Sequence, residues 1–207
     1  NHIIVESSRF AIDLNRNPEK AVYLAPEDCW GLPVRAEPVP EPVLARLRED
    51  YASWYKLLQY QIDRMLEFHP FLVVLDIHSY NHRRGGPLAE PDPQDKNPDI
   101  IIGRGNLLQK HYPAAEALCQ MLNGKDYLNK ALDCRQDVKF TGGYMSRWLN
   151  SRYPDRLICL AIEFKKIFMD EWTGELDQPA WSELKRLFYR QVKAWLSSQY
   201  TFALPTI

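Results

Sequence analysis

The chain lacks three features that would each have marked its class. It has no apolar run near the ~20 residues that cross a membrane. It has no excess of either charge: 26 Lys and Arg stand against 27 Asp and Glu, a net charge of -1. That balance argues against a nucleic-acid or anionic membrane surface as partner. Its four cysteines, Cys29, Cys119, Cys134 and Cys159, are scattered with no CxxC spacing, so paired-cysteine motifs are absent. Cys159, inside an apolar run, reads as core. Free thiols and no signal-peptide pattern point to a reducing cytoplasm. No internal repeat and no second domain are visible. What remains is 207 residues, 45% hydrophobic and 26% charged, enough for one α/β domain with a real core. Six Trp and eleven Tyr imply large aromatic packing clusters. The chain opens on Asn1 and runs at once into HIIVE, like a strand already under way. The expectation is that the natural protein begins earlier.

The stretch around which the rest is organised is FLVVLDIHSY, Phe71 to Tyr80. Phe71 to Ile77 is apolar apart from Asp76 and reads as a central strand buried on both faces. Alternation sends Leu72, Val74, Asp76 and His78 to one side. An Asp and a His therefore leave the sheet together at the carboxyl end of a strand, where open α/β sheets bind ligands. A neutral imidazole there is a good metal ligand, and a nearby carboxylate can orient it. For a lone His, a satisfied strand cap is the blander reading.

His2 to Val5 is β-prone. Phe10, Ile12 and Leu14 alternate with Ala11, Asp13 and Asn15, the pattern of a half-buried strand. It closes on Asn15-Arg16, a fork able to grip a carboxylate, or else a surface ion pair. Residues 21–42 carry five prolines, an irregular excursion. Glu41 to His69 reads as one long helix striped by Leu44, Leu47, Tyr51, Trp54, Leu58, Ile62 and Met65, stopped by Pro70. Strand-helix-strand order of this kind builds a mostly parallel sheet. Asn81 to Pro87, with His82, Arg83 and Arg84 beside two glycines, reads as a mobile basic loop. Asp99 to Gly103 is a short strand, and Leu107 to Leu122 a helix. Thr141-Gly142-Gly143 precedes a short helix over 145–149, whose first N–H groups suit an anion. Arg147 is expected to face the same site. Leu157 to Phe164 is a second central strand whose only charge is Glu163. A lone buried carboxylate needs a partner or a job. Desolvation would suit it to general-base work, and the alternative is pairing with Lys165, Lys166 or an Arg. Trp181, Leu184, Phe188, Val192 and Trp195 stripe a last helix.

An Asn-Arg fork, a strand-end histidine and a strand-borne Glu are together what metal-assisted amide hydrolysis beside a carboxylate requires. The blocks SRFAIDLNR (Ser8 to Arg16), LDIHSYNHRRGG (Leu75 to Gly86), KFTGGYMSRW (Lys139 to Trp148) and AIEFKKIFMDEWTGE (Ala161 to Glu175) resemble the N-formylglutamate amidohydrolases, relatives of the zinc carboxypeptidases. The resemblance implies a single α/β domain with a mixed, largely parallel sheet flanked by helices on both faces. It implies a zinc cofactor with His78 as one ligand, and Glu163 as the catalytic base. Asn15 and Arg16 would bind the substrate carboxylate, with Arg147 nearby, and Arg9 would steady the oxyanion. The substrate would be a small carboxylate-bearing molecule, an acidic amino acid losing a small acyl group. The family's first two zinc ligands, a His and a Glu, lie upstream of the SRF block, where only His2 and Glu6 stand here; they are expected in a preceding segment. A carboxypeptidase or other deacylase with the same site stays open, as does an inactive binding or regulatory module.

Overall fold

A computed structural model describes residues 2–200. Within them the chain gathers into two compact units. One holds the residues up to Leu72 together with Gly143–Leu157; the other holds Val73–Gly142 together with the residues from Ile158 on.

The first unit is built on helix α1, Glu41–Phe68. Leu44, Tyr51, Tyr55, Leu58 and Ile62 are its buried stripe, at the three- and four-residue steps that periodicity predicts. The short helix α3, Tyr144–Arg152, packs on it through rings: Tyr55 lies 5.6 Å from Tyr144 and 5.1 Å from Trp148. Tyr51 and Tyr55 also donate their hydroxyls to the carbonyls of Arg16 and Leu14, each at 2.7 Å. These bonds tie the N-terminal segment to α1.

That segment is not the strand pair its alternation predicts. Residues 2–6 are irregular and exposed, and 9–11 and 14–15 are turns. The cause is local hydrogen bonding that competes with a ladder. Ala11 donates its N–H to Ser8 O, Arg16 to Asp13 O, and Asn15 to the Asp13 side chain at 3.0 Å.

The second unit carries most of a four-stranded sheet in the order β1-β6-β2-β5. The strands are β1 Leu72–Tyr80, β2 Ile100–Gly103, β5 Cys134–Gln136 and β6 Leu157–Lys165. Two-residue strands β3, Asp126–Tyr127, and β4, Lys130–Ala131, form a hairpin. β2 runs parallel to β5 and antiparallel to β6. At the start of β1, Leu72 N–H bonds Arg156 O; at its end, Lys166 N–H bonds Tyr80 O. Both bonds fit one parallel register, with Leu72 beside Leu157 and Tyr80 beside Lys165. The sheet is therefore mixed and largely parallel.

Among the described residues β6 and β2 are its centre, and β1 lies at an edge. This corrects the central position expected for FLVVLDIHSY. Its apolar run is real, but Ile77 is 53% exposed and Ser79 is exposed too. Helix α4, Gln178–Gln199, capped by Asp177 accepting from Ala180 N–H at 3.0 Å, packs on the sheet through Phe188, 5.0 Å from Phe164. Phe164 alternates with Glu163, so α4 covers the opposite face from Glu163. Helix α2, Tyr112–Leu122, begins five residues later than its pattern predicts, because Pro113 sets its first turn. It packs on β5 and α4, and Trp195 Nε1 donates to Ala114 O at 2.8 Å.

Candidate functional site

The register of β1 and β6 decides the geometry of the second unit. With Leu72 beside Leu157 and Tyr80 beside Lys165, His78 stands beside Glu163. Directly paired residues point to the same face, about 4.8 Å apart. Glu163 pairs onward with Ile101. Asp76, His78 and Tyr80 of β1 thus share a face with Ala161, Glu163 and Lys165 of β6.

His78 sits against a carboxylate. Its Nε2 lies 2.6 Å from Asp76 Oδ1, and the Asp76 side chain is almost wholly buried. Asp76 Oδ2 is buried with no hydrogen-bond partner among the described residues. A buried carboxylate aimed at an imidazole fixes which ring nitrogen carries the proton. One histidine and its carboxylate are not a metal site, however. Among the described residues no group of three His, Cys, Asp or Glu is placed to hold a metal ion, and His2 and Glu6 lie exposed in the first unit. The donors present thus fit one ligand of such a site and not a complete set.

Glu163 is half-buried among fully buried neighbours. Lys165, one row on along the same face, is tied to the loop before β2. Its Nζ is 2.6 Å from Asp99 and hydrogen-bonds Gln94 Oε1 at 2.5 Å and Asn97 O at 2.9 Å.

The loop after β1 is anchored, against its reading as mobile. The buried Glu171 carboxylate accepts the N–H groups of His82, at 2.8 Å, and Arg83. Trp172 Nε1 donates to Arg83 O at 2.9 Å. Burial holds the pKa of His82 below its ordinary value, although the Glu171 charge pulls the other way. His82 therefore favours its neutral form beside that carboxylate.

In the first unit the arginines are organised by Asp13, a residue whose part in the site the alternating pattern hides. Asp13 is buried and accepts from Tyr23 OH. Arg9 Nη2 meets it at 2.6 Å, and Arg16 Nε lies 3.8 Å away. Both guanidinium groups also stack on Trp30, at 5.1 and 5.4 Å from its centroid, a favourable cation–π arrangement. For Arg9, burial opposes the charge, but the hydrogen bond and charge of Asp13 prevail and raise its pKa. Asn15 takes a different post. Its Oδ1 accepts Met145 N–H at 3.1 Å and its backbone O accepts Tyr144 N–H at 3.1 Å. The first N–H groups of α3, expected to face an anion, are thus capped by Asn15. Arg147 is exposed and lies over the ring of Tyr144, 5.4 Å from its centroid. The structure brings Arg9 and Arg16 together, and separately His78 and Glu163. A cleft of about 560 Å³ in the first unit, walled by Tyr51, Tyr55, Tyr144 and Trp148, is lined by none of these residues.

The sequence pattern of the N-formylglutamate amidohydrolases matches residues 1–169. No curated protein matches the chain in sequence. The crystal structure of N-formylglutamate amidohydrolase from Ralstonia eutropha superposes with a TM-score of 0.60 at 14% identity, over 91% of this chain and 73% of that one. A gene product of Agrobacterium tumefaciens does so with a TM-score of 0.59 at 18% identity, over 93% and 69%. At these identities the likeness to both structures is one of fold.

Proposed function

The chain belongs to the N-formylglutamate amidohydrolase family, and on that premise we propose that it hydrolyses the amide of an N-formylglutamate-like acyl amino acid, with zinc as cofactor. The observation that carries the proposal is the row at the carboxyl ends of β1 and β6. An imidazole held by a buried carboxylate, His78 with Asp76, stands beside the one charged side chain within the apolar run Leu157 to Phe164, Glu163. A zinc ion bound there would polarise the amide carbonyl and acidify water. The work of the chain's own residues is separable from that. His78 would supply one ligand. Glu163 takes a proton from the attacking water and returns it to the leaving nitrogen, so formate and the free amino acid are released. In the first unit, Arg9 and Arg16, gathered by Asp13, are suited to receive an anion. Asp13 and Trp30 keep both guanidinium groups from collapsing onto other partners.

The test is formate release from N-formylglutamate, read with the zinc content of the same preparation. The protein is expected to release formate, and both that activity and any zinc it carries are expected to fall in His78→Ala. Equal zinc in wild type and His78→Ala would remove His78 from the metal. No formate from zinc-loaded protein would leave a binding module as the better reading.

A further inference from the structure

The segment Lys139–Thr141 lies on the face of the sheet that carries His78 and Glu163. Two contacts fix this. A Cβ built on Gly103 would stand 2.7 Å from the carbonyl carbon of Thr141. Gly103 pairs with Ala161, and by register with Asp76, one row below the His78–Glu163–Ile101 row and on the same face. At the other end, the Lys139 ammonium lies 5.2 Å from the ring centroid of Tyr80 and 5.9 Å from that of Phe140. Tyr80 sits one row above His78, on the same face. The segment therefore brackets the catalytic row, with Lys139 at its upper end.

The setting of that ammonium is unusual for a surface lysine. Nζ donates to Asn97 Oδ1 at 2.6 Å, and Asn97 is itself buried and fixed by its own bond to Pro93 O at 2.9 Å. Two aromatic rings flank it. Among the described residues no carboxylate stands within ion-pair distance of it. Burial, and then the positive charge of nearby Arg84, hold its pKa below the ordinary lysine value, with Asp92 offsetting part. A cation positioned by a neutral acceptor, beside a second cation and with no carboxylate in ion-pair contact is a place that gains by taking in an anion.

We propose that Lys139 is a specificity-determining residue that receives the side-chain carboxylate of an acyl-glutamate whose amide lies at the His78–Glu163 row. This rests on the amidohydrolase reading above. Spacing chooses between the substrate's two carboxylates. His78 and Tyr80 are two residues apart on a strand, about 7 Å. The α-carboxylate is one carbon from the amide nitrogen, too near to reach over Tyr80. The side-chain carboxylate, three carbons away, is the one that extends toward that end of the row.

The experiment compares N-formylglutamate with N-formylglutamine, identical except that the side-chain carboxylate is an amide. Binding is measured by calorimetry and hydrolysis by formate release, in wild type, Lys139→Met and Lys139→Arg. Wild type is expected to prefer the acid. Lys139→Met is expected to weaken binding and kcat/KM for the acid roughly ten- to hundredfold, the worth of a charged hydrogen bond. The same change costs the amide less, because an amide oxygen still accepts from the ammonium but carries no charge. Lys139→Arg restores most of the preference, because the charge returns. Equal losses for acid and amide in Lys139→Met, at unchanged melting temperature, overturn this inference and leave the amidohydrolase reading standing. Failure of wild type to bind either compound overturns both.

Discussion

At the scale of single residues, Asp13 does more than any group in the first unit. One buried carboxylate serves Arg9, Arg16, the hydroxyl of Tyr23 and the N–H of Asn15. Arg9 is half exposed and Arg16 a third exposed, so solvent screens much of the attraction. Asp13→Asn keeps the shape and removes the charge. It is expected to cost about 1–2 kcal/mol, read as a lower urea midpoint at unchanged slope. An unchanged midpoint would mean that Arg9 and Arg16 are held by Trp30 alone. Single residues were also where the sequence was least legible. Asp13 reads as the polar member of an alternating strand. Lys139 reads as one lysine among many, since Asn97, Tyr80 and Phe140 make its setting only once folded. Glu163 draws notice in the sequence because a lone charge inside an apolar run is conspicuous.

At the scale of elements, the joint between Asn15 and α3 is the most exacting. The Gly143 backbone is extended, so conformation does not demand glycine there. Space does: a Cβ would fall 2.2 Å from the Asn15 side-chain amide. Gly143→Ala must push that amide away and so uncap Met145 N–H. The expected cost is about 1 kcal/mol, or roughly 2–4 °C in melting temperature for a domain of this size. A variant that melts like wild type would show that the cap contributes nothing. Elements long enough to repeat their period were readable. α1 and α4 show their stripes, and β1 and β6 their apolar runs. What the runs do not carry is position in the sheet, because an edge strand and a central one differ in neighbours and not in composition. β3, β4 and β5 are two or three residues long, too short for any period. The Phe10–Leu14 alternation misled because Asp13 and Ser8 bond their own backbone neighbours.

At the scale of the whole molecule, the chain joins a largely parallel sheet to a helical, arginine-bearing unit, and is a member of the N-formylglutamate amidohydrolase family. The proposed function places catalysis in the second unit, at the row of Asp76, His78 and Glu163 at the carboxyl ends of β1 and β6. The most direct test of that assignment is Glu163→Gln, which keeps the volume and hydrogen-bonding capacity of the side chain and deletes only the proton acceptor. Formate release from N-formylglutamate and thermal melting are measured on the same samples. The expected result is a fall in kcat of about 10²–10⁴-fold, with melting temperature, zinc content and substrate affinity nearly unchanged. If Glu163 instead balances a buried cation, the substitution strands that cation and costs ~3–5 kcal/mol. A large fall in melting temperature with activity per folded molecule intact would contradict the assignment.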